Sequence, residues 1–486
     1  MQRLILLIAG LLVFNSRSLS QAPSSYVIKD IKSFGAKGDG KFNDHAAFQR
    51  AAQFFNARKG NGKLIISAGT YLVGNQIKGG NGAAWFGVDV LKLTGCSNMV
   101  IQGDKNATLK MQNGMRVGSF HPKTDQPFES KESQFTDYNF LAAPGGILYL
   151  ERCRNVQVSD LQLDGNNKNV IKGGKFGDHG FQVPADGIMI VNSSGIVIEN
   201  VKSDYFVRDG LVLVNETPQE WETPSQKITI INSSFTYIGR QGFSWVGGVG
   251  VRVINSKFNH TGRSNIVSAP AAGVDIEAEV GIIKDGTFIN CEFVNNNGAG
   301  LVADSGPSKD MVFENCLFWG VTSWSMWTTK PNYNFYNCKF YGSIVQGYDS
   351  PDDANATKFF KCVFEDKTYQ GKIPYGQYLV EINLKRRMLF NTCTFTTHTK
   401  KLFWFEGDPS WKDEEKPLII NCIIHVYPTP YKKPDFFAKM HGVRWSSATY
   451  FIYMPQKEYE ASYYIPGSYV TFMGNTSVQY KSQKVK

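Results

Sequence analysis

Apolar residues along this chain recur at every second position in short runs, as in Ile188-Met189-Ile190, Ile196-Val197-Ile198 and Leu211-Val212-Leu213. A period of two sends alternate side chains to opposite faces, so these runs predict β-strands with one face in a core. One stretch reads differently. Ala46, Ala47, Phe48, Ala51, Ala52 and Phe55 share one side of a helix, and Asn43 and Asp44 stand in front of it as cap residues.

The strands come in a repeat. Asn290-Cys291-Glu292-Phe293, Asn315-Cys316-Leu317-Phe318 and Asn337-Cys338-Lys339-Phe340 share a local pattern that continues through Cys362, Cys393 and Cys422. Successive cysteines of this set lie 25, 22, 24, 31 and 29 residues apart. Asn232-Ser233-Ser234-Phe235 and Asn255-Ser256-Lys257-Phe258 extend the pattern upstream with serine in place of cysteine. A period of this size marks a solenoid, which stacks like residue over like at the strand spacing of ~4.8 Å. The cysteines then form an internal ladder of small apolar side chains beside Phe and Asn columns, and are expected as free thiols.

The predicted fold is all-β: a right-handed parallel β-helix solenoid over residues 88–426. An N-terminal cap and first strands over residues 21–87, including the capping helix, come before it. An irregular C-terminal cap is expected over residues 427–486, where the repeat fades. Segments 112–145 and 166–185 are polar, interrupt the coils and read as long loops lining the working face.

Arg3, the apolar run Leu4 to Phe14 and the small polar stretch up to Gln21 have the order of a secretory signal peptide over residues 1–20, cleaved after Ser20. The expected location is therefore secreted or periplasmic, with no membrane span. The 486 residues are 42% hydrophobic, 13% aromatic and 19% charged with 47 Gly, which excludes a disordered chain or a coiled coil. The net charge of +10 is spread without a basic block, so no nucleic-acid partner is expected.

The stretch from Ile31 through Gly35, Asp39 and Gly40, then Asn43-Asp44, the helix, and Gly69-Thr70-Tyr71-Leu72-Val73 resembles the opening of the pectate-lyase-like superfamily of right-handed parallel β-helix proteins. Further on, Asp186-Gly187, then Arg208-Asp209-Gly210 one coil later, then Gly239-Arg240-Gln241-Gly242 resemble in part the polygalacturonase-type glycoside hydrolases. The resemblance places Asp186 and Asp209 on two of that family's three carboxylates. Arg208 stands where it calls for the general acid and Gln241 where it calls for a histidine. No Arg-x-Lys counterpart follows.

Independently of that resemblance, the strands after each of these glycines can be taken as one stacked sheet. Ile188, Ile190, Leu211, Leu213, Phe243, Trp245, Val274 and Ile276 then point inward. Met189, Val212, Ser244 and Asp275 are expected to face solvent, followed by Val191, Val214, Val246 and Glu277. Asp186 and Asp209 fall one coil apart, ~5 Å, and Asp275 and Glu277 ~7 Å apart along a strand. Paired carboxyls at ~5–5.5 Å suit retaining glycoside hydrolysis and those at ~6.5–9.5 Å suit inversion.

The candidate catalytic residues are accordingly Asp186, Asp209, Asp275 and Glu277. Arg208, Arg240, Gln241, His179 and Asp304 are candidates for contacting sugar. Asp-Gly is also a common turn dipeptide, so turn capping stands beside catalysis for Asp186 and Asp209. Asp275, Glu277 and Glu279 alternate on one predicted strand and read as either catalytic or cation-binding, Ca²⁺ being the possible cation. Trp319, Trp324 and Trp327 offer flat faces either to sugars or to an inner stack.

The leading expectation is a polysaccharide-degrading glycoside hydrolase with no required cofactor, acting on a polysaccharide or oligosaccharide. A lyase or epimerase on uronic-acid polymers is the first alternative, with Arg240, Arg208 or His179 as base. A non-catalytic glycan-binding surface protein is the second.

Overall fold

The structure is a computed structural model that describes residues 25–427 except 384 and 409, and the short stretches 438–440, 443–446, 449–453, 470–473 and 477–480. The expected signal peptide lies outside the described residues. No described helix is long and apolar enough to cross a membrane.

Each winding contributes three strands, for example Asp209–Val214, Ile228–Ile231 and Ser234–Thr236. Successive windings pair strand to strand in parallel. In the first sheet Ile188 aligns with Leu211, Leu211 with Phe243, Phe243 with Val274 and Val274 with Leu301. Among the described residues a 26-stranded sheet wraps the first two faces, joined by the long strand Gln241–Ile254, and a 15-stranded sheet forms the third. This is a parallel β-helix.

Matching register turns the core into columns. Phe288, Phe313, Phe335, Phe359 and Phe390 stack at 4.9 Å between successive ring centres, the spacing of the strands that carry them. Phe293, Phe318, Phe340, Phe364 and Phe395 form a second stack at 4.5 to 5.0 Å. All eight cysteines are free and buried, as expected. The thiols of Cys316, Cys338, Cys362 and Cys393 each donate to a phenylalanine carbonyl one winding back at 3.4 Å. A chromogenic thiol reagent should therefore find all eight unreactive in the native protein and reactive after denaturation. Rapid labelling of any of them under native conditions would contradict the ladder.

The Asn column marks the corner before the third sheet. Asn232, Asn255, Asn290, Asn315 and Asn337 hold φ between 50° and 55°, a left-handed conformation that Asn tolerates better than most residues. Their amides also bond along the column, Asn255 to Asn232 at 3.1 Å and Asn290 to Asn255 at 3.0 Å.

Helix His45–Ala57 covers the N-terminal end, burying Ala47, Phe48, Ala51, Ala52 and Phe55. Ala46 is exposed, and His45 takes the buried position instead. Asn43 Oδ1 accepts the His45 N–H at 3.0 Å. Asp44 does not cap the helix with its side chain; it accepts the Lys37 and Gly38 N–H groups at 2.7 and 3.0 Å.

Two expectations need correction. The coil continues past residue 426. Val443–Ser446 and Thr449–Ile452 pair in parallel with the preceding winding, and Val470–Met473 and Ser477–Tyr480 pair with them in turn. The Asn-Cys signature stops at Cys422 while backbone pairing goes on.

Segments 112–145 and 166–185 are also more than loops. With Asn75–Lys78 and Trp85–Val88 they build a five-stranded accessory sheet. Its own core includes Val117, Phe135, Leu141 and Val183, and it is anchored on Ala185, Val207 and Ile266. Ala185 and Val207 directly precede Asp186 and Arg208, so this sheet is fastened beside the candidate acids.

Candidate active site

The glycines explain the position of the acids. Gly187 and Gly210 do not have positive φ, so Asp-Gly is not a left-handed turn here. What excludes a side chain is close stacking. A Cβ on Gly187 would sit 2.0 Å from Ser203 Oγ and 2.6 Å from the Gly210 carbonyl oxygen, and one on Gly210 would sit 2.8 Å from that of Gly242. The residue before each glycine is thereby fixed in one column, in which Asp209 aligns with Gln241 and Gln241 with Ala272. Asp186 joins it one winding earlier, where its Oδ1 accepts the Asp209 N–H at 3.2 Å.

Two arginines cross-link this column, each reaching back one winding. Arg208, beside Asp209, grips Asp186 in a bidentate pair, with Nε to Oδ1 at 2.7 Å and Nη2 to Oδ2. Arg240, beside Gln241, donates from Nη1 to Asp209 Oδ2 at 3.2 Å. Gln241 donates its amide to Asp275 Oδ2, on the next strand. A single polar chain therefore links Asp186, Arg208, Asp209, Arg240, Gln241 and Asp275 across four windings.

The expectation that Asp275 faces open solvent is corrected. Asp186, Asp209 and Asp275 are 3%, 1% and 1% exposed, and Val212 and Ser244 on the outer face are also buried. Arg208 and Arg240 keep 19% and 18% of their side chains exposed, so the guanidiniums are the outer layer and the acids lie beneath them. Glu277 is only partly buried and Asp304, one winding on, is exposed. The strand ends at Glu277, which leaves Glu279 beyond it, and its register with the next strand slips between Asp275 and Glu277. An irregularity of this kind re-aims a side chain.

Burial sets the electrostatics. It pushes the Asp209 carboxyl up to about 6, with Asp186 adding to the rise and Arg240 and Arg208 opposing it. Burial also raises Asp275 well above the usual carboxylate range, reinforced by Glu277. Glu277 is raised by burial and by Glu279. One polar atom each of Asp209 (Oδ1), Arg240 (Nε), Gln241 (Oε1) and Asp275 (Oδ1) is buried without a hydrogen-bond partner. A buried polar atom left unpaired costs about 1–3 kcal/mol, so four in one place mark a constellation that a polar ligand can satisfy.

His179 is set apart. Its side chain is 70% exposed and its ring pairs with Asp178 at 3.2 Å rather than with the acid column. The cation-binding reading does not fit either. Asp275 already takes the Gln241 amide and feels the Arg240 charge, and no group of three or more His, Cys, Asp or Glu among the described residues is arranged to hold a metal. Asp89 was missed by the sequence reading. It stands two residues before the inward Leu91, as Asp186 stands two before Ile188 and Asp209 two before Leu211, but no glycine follows it. Its Oδ1 accepts the Gly146 N–H at 2.9 Å, burial raises its pKa, and Asp186 and Arg208 lie within electrostatic reach.

Residues 28–260 match the family model described as rhamnogalacturonase A/epimerase, pectate lyase-like, and residues 221–378 match that of the right-handed beta helix region. No curated protein matches the sequence. Similar solved structures include the A-module of the Azotobacter vinelandii mannuronan C-5 epimerase AlgE6, at 14% identity over 94% of this chain and 100% of that one, with a TM-score of 0.43. The tailspike protein gp49 of Pseudomonas phage LKA1 is 10% identical over 92% of this chain and 83% of its own, with a TM-score of 0.41. PfbA, a surface adhesin of Streptococcus pneumoniae, is 13% identical over 94% and 93%, with a TM-score of 0.40. With its strand register and its capped N-terminal end, the chain is a right-handed parallel β-helix, and over residues 28–260 it matches the pectate-lyase-like family model.

Proposed function

We propose that this protein is a glycoside hydrolase acting on a polysaccharide laid along the outer face of the first sheet. Asp209 is the proton donor, and Asp275 with Glu277 supplies the opposing carboxyls. The observation that carries this reading is the convergence of Asp209, Arg240, Gln241 and Asp275 from three successive windings, each with a buried polar atom still unpartnered. A carboxyl titrating at about 6 keeps its proton in mildly acidic medium, as protonation of a leaving oxygen requires. Glu277 is the more open of the two opposing carboxyls and suits activation of water. Two windings separate the strands of Asp209 and Asp275, ~10 Å before the side chains lean together, which favours inversion over retention. The order of Arg3, the apolar run and the small polar stretch at the N-terminus supports export.

A lyase or epimerase acting on a uronic-acid polymer is the second reading. It is favoured by the two guanidiniums lying outermost, where a sugar carboxylate would dock. Arg208 is a poor base for such a reaction, because Asp186 holds it firmly protonated. The products separate the two readings. A hydrolase releases new reducing ends alone, whereas a lyase also creates unsaturated, ultraviolet-absorbing ends. An epimerase inverts C5 without cleaving the chain.

Under the hydrolase reading, kcat/KM falls as pH rises through about 6, because the donor loses its proton. The folded Asp209 value lies above its unfolded one. Its contribution to stability is therefore full below the unfolded value and is lost as pH rises through about 6. A pH–rate profile with no alkaline limb near that value contradicts the assignment.

A further inference from the structure

The outward column that contains Asp275 does not stop at the acids. Asp275 aligns with Val302, Val302 with Trp327, Trp327 with Val345, Val345 with Glu381 and Glu381 with Trp404. Five windings at the strand spacing put Trp404 ~24 Å further along the axis on the same face. There the surface changes from charged to aromatic. Trp324 meets Trp327 edge-on at 4.6 Å and Tyr375 edge-on at 5.2 Å, and Tyr378 packs against Trp404 at 5.5 Å. Trp324, Tyr375, Tyr378, Glu381 and Trp404 line a cavity of about 210 Å³. Trp324 and Tyr375, at 84°, and Tyr378 and Trp404, tilted at 45°, form its walls, and Glu381 stands on the same outer column as its acceptor.

We infer that this aromatic corner is a second glycan-binding site, which holds neutral pyranose units of the same polysaccharide that crosses the acid site. Flat indole and phenol faces stack on the C–H faces of sugar rings, and a half-buried carboxyl accepts sugar hydroxyls. The sign of the charge decides between neutral and acidic units. Glu381 disfavours a sugar carboxylate here, and the two cations beside it are already engaged, Lys400 with the Gly376 carbonyl and Lys401 over the Tyr378 ring at 4.9 Å, whereas Arg208 and Arg240 would welcome one at the acid site. Continuity of the column decides the occupant, since one chain lying along the helix axis reaches both places. A linked pair of sites gains affinity for a polymer that a short oligosaccharide cannot share. The inference rests on the proposed function only in taking the ligand to be a polysaccharide.

The test is affinity electrophoresis of the full chain through gels containing galactan, glucomannan, xylan or polygalacturonate, beside cleavage assays on polymers and short oligosaccharides. The wild-type protein is expected to be retarded by at least one neutral polymer. Trp324→Ala with Tyr375→Ala is expected to weaken that retardation about tenfold, the scale of lost aromatic contacts, while leaving oligosaccharide cleavage unchanged. Trp324→Phe keeps a flat face and should retain binding, which separates loss of stacking from loss of folding. Retardation of the double variant equal to wild type overturns the site, as does retardation by polygalacturonate alone or by none of the four. Asp209→Asn distinguishes the two claims. If it still cleaves while the aromatic variants lose retention, the catalytic reading fails and this site stands. If it loses cleavage while the aromatic variants bind normally, the reverse holds.

Discussion

Asp209→Asn is expected to lower kcat by about 10²–10⁴-fold while leaving the protein folded, the loss typical of removing a positioned acid–base group. The amide keeps the shape of the side chain and can still accept from Arg240 Nη1, which reaches Asp209 Oδ2 at 3.2 Å. It cannot release a proton to a leaving oxygen. The backbone carbonyl of Asp209, which accepts the Gly187 N–H at 3.0 Å, is untouched, so the stacking of windings survives. Circular dichroism of the variant should match wild type, and initial rates on the cleaved polymer should collapse. Unchanged rates would remove Asp209 from the chemistry.

Arg208→Ala is expected to cost about 3–5 kcal/mol of stability, more than any exposed ion pair would. Asp186 is 3% exposed and receives two bonds from Arg208. Without the guanidinium, a buried carboxylate is left with the Asp209 N–H as its remaining side-chain bond. Urea unfolding at neutral pH measures the loss, and adding Asp186→Asn should recover part of it, because the stranded charge is then gone. A change below about 1 kcal/mol, on the scale of surface pairs, would mean that Asp186 is not buried as a charged group. The two variants separate roles: Asp209 is judged by rate, and the Arg208–Asp186 pair by how firmly it holds the windings together.

Much of the fold is legible because a β-helix writes its core in columns. Cys316, Cys338 and Cys362 repeat at one structural position, and so do Phe318, Phe340 and Phe364. A reader of the sequence sees the ladder directly. Asp186 and Asp209 are legible for the same reason, since Gly187 and Gly210 fix their register.

The rest depends on where side chains swing. That Asp275 and Ser244 are buried follows from local packing, and that Asp186 and Asp209 lie under guanidiniums follows from Arg208 and Arg240 reaching back a winding. An alternation pattern does not encode that reach. Asp89 escaped notice because Val90 follows it where Gly187 and Gly210 follow Asp186 and Asp209. The accessory sheet escaped because its strands pair across long sequence gaps, Trp85 aligning with Ala142, and its short polar runs resemble loops. The winding past residue 426 escaped because pairing outlasts the cysteine signature.

The central claim is that a glycan lies across the first sheet's outer face with its scissile bond at Asp209. A crystal structure of Asp209→Asn soaked with an oligosaccharide of the cleaved polymer tests it most directly. The account predicts a glycosidic oxygen within hydrogen-bond distance of the substituted side chain, with Glu277 on the far side of that bond. Sugar bound on another face of the helix, or bound here with the arginines still sealing the acids from it, would contradict it.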